Sequence, residues 1–277
     1  MFEKVNPSHP DKIADRIAGA IVDMAYKQQE NPKIAVEVLI GHSLCSIITE
    51  SSLIFERKSI EDIVTRISGV KCDLMLSQNK QDTHLAENQT ESIKCGDNGI
   101  FKGTFMSLEE KKLARVVGII HSQYPYDGKY IINGNKVIAC QSHVNSAMFK
   151  KELKEQFSRI STRKYDFIVN PLGEWSGGIN VDTGATNRKL GSDMGRSITG
   201  GGLHGKDFSK ADVSVNIFCH LLAQELKTEI TAFCAIGDEE VLVNNKLIKY
   251  ETIVKSAKDF VDKIGGFEEL AKYGLII

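Results

Sequence analysis

Four carboxylates of this sequence stand where a hard cation could use them: Asp11, Asp97, Asp182 and Asp212. Each is set in a loop or at a helix start near glycine, proline or lysine. Oxygen ligands of this kind suit magnesium held jointly with phosphate. Each one alone also reads as an ordinary turn or capping residue. The matching cations are His9, Lys12, Lys129, Arg188, Lys189, Lys206 and Lys210. Lys206 and Lys210 bracket a predicted helix start, where free N–H groups and the dipole already favour anions. A polyphosphate cradle and a solvated lysine pair both fit that observation. His9 precedes Pro10 at the mouth of a predicted helix, as a cap or as a donor to a departing oxygen. Trp175, the only tryptophan, lies among glycines, placed to stack on a base or to pack a core edge.

Gly200–Lys206 formally fits part of a phosphate-binding P-loop, but Asp207 stands where that loop needs Ser or Thr. No buried strand precedes it, so the P-loop reading is set aside.

Composition narrows the rest. A net charge of -1 over 277 residues excludes a general nucleic-acid binder. No apolar run is long enough for a membrane span, and the N-terminus lacks a signal-peptide stretch. The six cysteines are scattered without a CxxC pair. They read as reduced, buried thiols of a cytoplasmic protein.

The positioning elements follow from periodicity and punctuation. Ile13, Ile17, Ile21 and Met24 predict a first helix behind Pro10. Ile34–Ile40 and Leu44–Thr49 predict paired strands turning at Gly41. A helix is expected from Ser59, with Asp62 in capping-box position. Residues 78–94 read as a mobile loop. Ser107 and Glu110 form a second capping box ahead of Leu113, Val116, Val117 and Ile120. Asn133-Gly134 predicts a hairpin between Tyr130–Ile132 and Lys136–Cys140. A helix near Ala147–Arg159 and a strand at Tyr165–Val169 follow. Residues 170–206 hold ten glycines in 37 residues, the mark of a functional or disordered loop. Ser209 is expected to cap a helix with Val213, Ile217 and Leu221 inward. A strand at Glu229–Ile236 and a helix ending at Ile264–Gly266 complete the pass. Strand pairs alternating with helices predict an α+β protein with antiparallel sheets. No repeat is visible in the residues themselves.

Taken in order, the motifs resemble methionine adenosyltransferases, the S-adenosylmethionine synthetases. His9-Pro10-Asp11-Lys12-Ile13-Ala14-Asp15 resembles their N-terminal signature. Gly96-Asp97-Asn98-Gly99 resembles their GDQG turn, and Asp127-Gly128-Lys129 their D-x-K element. Asn170-Pro171-Leu172-Gly173 is similar to NPTG. Gly177-Gly178 through Asp182 to Arg188-Lys189 resembles their glycine-rich segment ending in GRK. Gly200–Asp207 with Ser209-Lys210-Ala211-Asp212, and then Ala235-Ile236-Gly237, complete the series.

The resemblance implies a fold of three pseudo-symmetric domains, with mixed or antiparallel sheets packed against helices. The expected divisions are 1–92, 93–172 and 173–277. It implies synthesis of S-adenosylmethionine from ATP and L-methionine, with release of phosphate and pyrophosphate. His9, Lys129, Arg188, Lys189, Lys206 and Lys210 would surround the triphosphate. Glu50, Asp97, Asp127, Trp175, Asp182, Asp212 and Ile236 would contact substrate. Asp11 and Asp182 would serve Mg2+, expected at two ions per site, and Glu37 would serve K+. A homodimer or dimer of dimers is expected, with sites at the subunit interface and no nucleic-acid or membrane partner. The departures are Asn98, Asn187, the Val5–Ser8 opening, a shortened stretch before Gly200, and Glu174 and Val213 where the family has arginine. Two rival readings remain: a catalytically impaired regulatory relative, and a magnesium-dependent nucleotide hydrolase.

Overall fold

The computed structural model describes residues 1–84 and 92–277. Its elements are β1 (Phe2–Val5), α1 (Pro10–Gln28), β2 (Ile34–Gly41), β3 (Leu44–Ser51), α2 (Arg57–Ser68), β4 (Asp73–Asn79), β5 (Gly99–Gly103) and α3 (Leu108–Gln123). Then come β6 (Gly128–Asn133), β7 (Lys136–Gln141), α4 (Ser146–Ile160), β8 (Asp166–Val169), β9 (Gly184–Ala185) and α5 (Leu190–Met194). The last are α6 (Ala211–Leu226), β10 (Ile230–Cys234), β11 (Glu240–Val243), β12 (Lys246–Lys249), α7 (Tyr250–Ile264) and α8 (Phe267–Tyr273).

The described strands form three four-stranded sheets, ordered β4-β3-β2-β9, β1-β6-β7-β8 and β12-β11-β10-β5. The first two repeat one plan: helix, hairpin, helix, then a strand parallel to the second hairpin strand. The third sheet is wholly antiparallel. Each also takes one strand from a distant stretch of chain: β9, β1 and β5 respectively. The repeat is one of topology, which explains why no residue periodicity reports it.

Local chemistry accounts for most elements. Pro10 opens α1, and its apolar stripe of Ile13, Ile17 and Ile21 is buried. The Ser107–Glu110 capping box forms as expected. The Asn133-Gly134 hairpin also forms, with Asn133 opposite Lys136. Three expectations are corrected. The first hairpin turns at His42-Ser43, both left-handed, while Gly41 stays in the strand. α2 starts two residues before Ser59 and has no side-chain cap; Asp62 pairs with Lys58 instead. Ser209 does not cap α6: its N–H and hydroxyl both donate to Asp207, and Lys210 holds the cap position. The expected loop at 78–94 begins inside β4, and residues 85–91 lie outside those described.

One apolar core underlies the first and third sheets. A second, built on Phe2, Val117, Tyr130 and Phe149, underlies the other. His220 of α6 sits in the larger half with its Nδ1 buried and unpartnered. Burial pushes its imidazole down to about 4. The unfolded chain binds that proton near 6.5, so the stability at stake is complete above that pH and is lost as pH falls toward 4. His220→Leu is therefore expected to stabilise the fold by about 1 kcal/mol at neutral pH, by removing the orphaned nitrogen. The gain should widen by about 2 kcal/mol at pH 5. Urea melts at the two pH values check this; a variant less stable than the parent at both would refute it.

Candidate active site

β2 is the spine of the site. Along its free edge lies the glycine-rich stretch. Leu39 pairs with Ala185 and Ile40 with Gly184, and Ala35 bridges to Lys206. Val36 N–H donates to Gly205 O at 2.7 Å. The glycines permit this contact. A Cβ at Gly184 would meet the Pro10 carbonyl oxygen at 1.9 Å, and one at Gly205 would meet the Val36 carbonyl at 2.3 Å. The expected functional or disordered loop is therefore an ordered strap between α1 and β2.

The strap gathers a first cluster at the start of α1. Asp11 is buried; its carboxylate accepts from Ala185 N at 2.9 Å and from the Lys189 ammonium. Arg188 Nε lies 3.6 Å away. His9 caps α1, its Nδ1 accepting the Asp11 N–H at 3.2 Å. That fixes the ring proton on Nε2, which is left to donate outward. Burial, and then the Lys189 charge, hold His9 at about 4, so it is neutral at pH 7. Lys129 of β6 and Asp182 act on the same imidazole. Asp127 accepts the Gly178 N–H at 2.9 Å. Burial, and then the charges of Asp182 and Asp11, raise its carboxyl to about 6. The charges of Asp11 and Asp182 thus reach Asp127 on the side of the strap where Lys189 and Arg188 meet Asp11, while the Lys129 ammonium pairs with Glu3 at 3.3 Å. Hard oxygen donors of this kind fit a magnesium ion, and the cations now paired with Asp11 fit its phosphate.

A second cluster lines a cavity of about 270 Å³ bounded by Ala35, Glu37, Ile48, Glu50, Asp97, Lys206 and Lys210. Lys206 is paired with Asp212 in the first turn of α6. Glu37 accepts from the Thr186 hydroxyl. Asn98, beside Asp97, accepts the Ile236 N–H at 2.8 Å, which ties the exposed Ile236 to the turn that carries Asp97. Carboxylates line the cavity from two strands and a turn, a lining suited to an ammonium group or an alkali cation. Thr186 carries both clusters' connection, one residue after Ala185 and three before Lys189.

Trp175 belongs to the first cluster's side. Its ring lies against Gly177, its carbonyl accepts the His143 N–H, and it is partly exposed. Among the described residues, no contact joins it to Ile236.

Lys12 leaves the cation set. It is fully buried, 2.9 Å from Asp15, 2.7 Å from Asp193 and 3.2 Å from His204 Nε2. Asp15, Asp193 and His204 are spaced as a metal triad would be, within 4.8 Å; the Lys12 ammonium is the cation they hold. This knot braces the site from below. Asp15 accepts Asn187 N–H, and the Asn187 side chain bonds the His204 backbone on both sides. Sequence reasoning missed Asp193, His204 and Asp207. Asp207 accepts from Ile34 N–H at 2.8 Å and so fixes Lys206 beside β2. A buried carboxylate bonded through register leaves no mark on spacing. The two arginine departures have plain structural duties. Glu174 accepts from Asn145 and from Ser146 N–H at the start of α4, and Val213 is wholly buried.

Fold and site together define an α+β protein with a cation-bearing, carboxylate-lined site on a strap between α1 and β2. Residues 1–90 match the S-adenosylmethionine synthetase N-terminal domain. S-adenosylmethionine synthase of Mycoplasma mycoides is 28% identical, over 94% of this chain and 84% of that protein. The synthase of Mycoplasmopsis pulmonis is 27% identical, over 81% and 72%. An S-adenosylmethionine synthetase structure from Campylobacter jejuni superposes with a TM-score of 0.76 at 18% identity, covering 99% of this chain and 93% of that one. The chain thus has the fold of that synthetase structure and is similar over most of its length to S-adenosylmethionine synthases. No described helix is long and apolar enough to cross a membrane.

Proposed function

We propose that this protein is a methionine adenosyltransferase, joining L-methionine to ATP to form S-adenosylmethionine. The observation that carries the reading is the neutral His9 donor beside Asp11, Lys189 and Arg188, on a strap shared with the carboxylate-lined cavity. The methionine sulfur attacks C5′ of ATP and expels triphosphate. A thioether has no proton to lose, so no general base is required. The demand falls on the leaving group. His9 Nε2–H donates toward the departing oxygen, and Lys129, Arg188, Lys189, Lys206 and Lys210 stabilise the gathering charge. The same cations then hold triphosphate for cleavage to phosphate and pyrophosphate. Asp11 and Asp182 would hold magnesium, at two ions per site, with Asp127 beside them. When bound, the metal neutralises phosphate charge in ground and transition states. Glu50, Asp97 and Asp212 face the methionine ammonium and ribose; Glu37 would serve potassium.

Trp175 and Ile236 are assigned to adenine. They lie on separate flanks of one chain, which suits a site completed by a second copy. The outward sheet faces expose Leu39, Leu44, Ile48 and Met75 on one, and the rung Ile100, Phe233, Leu242 and Leu247 on another. We assign these faces to a homodimer or dimer of dimers. The three sheet units stand for the family's three domains. Six free cysteines accord with a cytoplasmic setting.

Pure protein with ATP, methionine and magnesium is expected to yield S-adenosylmethionine, read by mass. Triphosphate cleavage that ignores methionine would replace this reading with a nucleotide hydrolase. Trp175→Ala is expected to weaken ATP binding by about tenfold or more, the worth of one base stack. Unchanged nucleotide affinity by calorimetry would assign the ring to packing on Gly177.

A further inference from the structure

Two thiols lie beneath the turn that carries Asp97. Cys95 Sγ is 3.1 Å from Cys234 Sγ and 3.0 Å from the Asp97 carbonyl oxygen. Cys234 Sγ is 3.7 Å from that same oxygen. The backbones that bear them are already clamped. Cys95 N–H donates to Asp238 O at 2.8 Å, and Gly237 N–H donates to Cys95 O at 2.7 Å. Cys234 lies opposite Gly99 in the β5–β10 ladder. A disulfide spans about 2.05 Å between sulfurs, so closure needs an approach of about 1 Å.

A buried thiol is usually inert, and both of these are buried. This pair differs in its geometry, with the two sulfurs in contact and both within reach of one carbonyl. Their mutual contact shifts the Cys95 thiol below its ordinary range and the Cys234 thiol above its own. The 3.1 Å contact places each sulfur to resolve an oxidised form of the other, and Cys95, which also touches the turn at 3.0 Å, is assigned as the attacking sulfur. The surface is two residues beyond Cys234, at the exposed Ile236, so a water-sized oxidant needs only a local opening of the turn.

We propose that Cys95 and Cys234 form a redox site, closed to a disulfide by a small peroxide, and that closure switches off the adjoining substrate cavity. The Cys95 thiolate attacks a peroxide oxygen, giving a sulfenic acid and a hydroxide that takes up a proton as water. Cys234 sulfur then attacks the sulfenic sulfur, and the departing hydroxyl leaves as water with the Cys234 proton. Hydrogen peroxide takes two electrons; two thiols become one disulfide and two waters. Both sulfur contacts to the Asp97 carbonyl lose their hydrogens. The Asp97-Asn98 turn then loses the support that aims Asp97 into the cavity and holds Ile236 through Asn98. The effect on turnover rests on the function proposed above; the bond itself does not.

The test treats the full chain with hydrogen peroxide, then alkylates it in denaturant and maps peptides by mass. A linked Cys95–Cys234 peptide, two hydrogens lighter, is expected. Turnover should fall in step by about tenfold or more, and dithiothreitol should restore both. Cys95→Ser and Cys234→Ala should each retain turnover under peroxide. Loss of turnover with both cysteines still alkylated would overturn the proposal, as would a complete cross-link with full activity. Should the untreated protein make no S-adenosylmethionine, the functional reading fails alone. The mapped bond, and binding of a non-hydrolysable ATP analogue before and after peroxide, still decide the redox site.

Discussion

Asp11→Asn is expected to lower S-adenosylmethionine formation by about a thousandfold or more while the protein stays folded. The amide keeps the shape of the carboxylate and can still accept the Ala185 N–H. It cannot balance the Lys189 ammonium or Arg188, and it offers a weaker oxygen to a divalent ion. Lost charge-assisted bonds cost about 1.5–3 kcal/mol of stability each at most, well within the reserve of a folded chain of this size. The expected signature is a higher magnesium requirement together with a lower maximal rate, followed by mass detection of product across a magnesium titration. Lys206→Ala should fall in the same class, because its ammonium is tied to Asp212 and faces the cavity. Near-normal turnover in Asp11→Asn would remove that carboxylate from the metal and phosphate role.

The elements that place Asp11 were legible because their causes are local. Proline at the first turn, an apolar stripe every three to four residues, a Ser–Glu box and an Asn-Gly turn each leave a mark within a few positions. The motif set also named the strap's outer residues, since His9, Asp11, Arg188 and Lys189 do meet around one spot. Two kinds of information were not local. The helix starts at Ser59 and Ser209 were misread because capping residues also make Asx- and Ser-turn contacts, and Ser209 prefers Asp207. The role of residues 170–206 was hidden because a strap is fixed by what it lies against. Ten glycines signal close backbone approach, yet only the register of Leu39 with Ala185 and Ala35 with Lys206 says to which strand. Lys12 went astray for the same reason: beside Asp11 in sequence, it points inward to partners from the far side of the strap, 181 and 192 residues away.

That inward lysine gives the largest expected effect on stability. Lys12→Met should destabilise the fold by about 3–5 kcal/mol, the usual cost of stranding buried charge. The methionine fills the space but leaves the Asp15 and Asp193 carboxylates, both fully buried, with His204, Asn187 N–H and the more distant charge of Lys4. In a chain of this length that is a fall in melting temperature of about 10 °C or more. The pair is the informative part of the experiment. In Lys12→Met with Asp193→Asn, one stranded charge is gone, so the double variant should be more stable than the single one by about 1 kcal/mol or more. A Lys12→Met protein that melts with the parent would mean the two carboxylates find compensation elsewhere, and the knot would not be what braces the strap. If the cost appears as expected, the same measurement ties stability to chemistry. α1, the Asn187–Lys189 segment and the His204–Lys206 segment are held at one buried ammonium, and His9, Asp11, Lys189 and Lys206 are the residues those three segments carry.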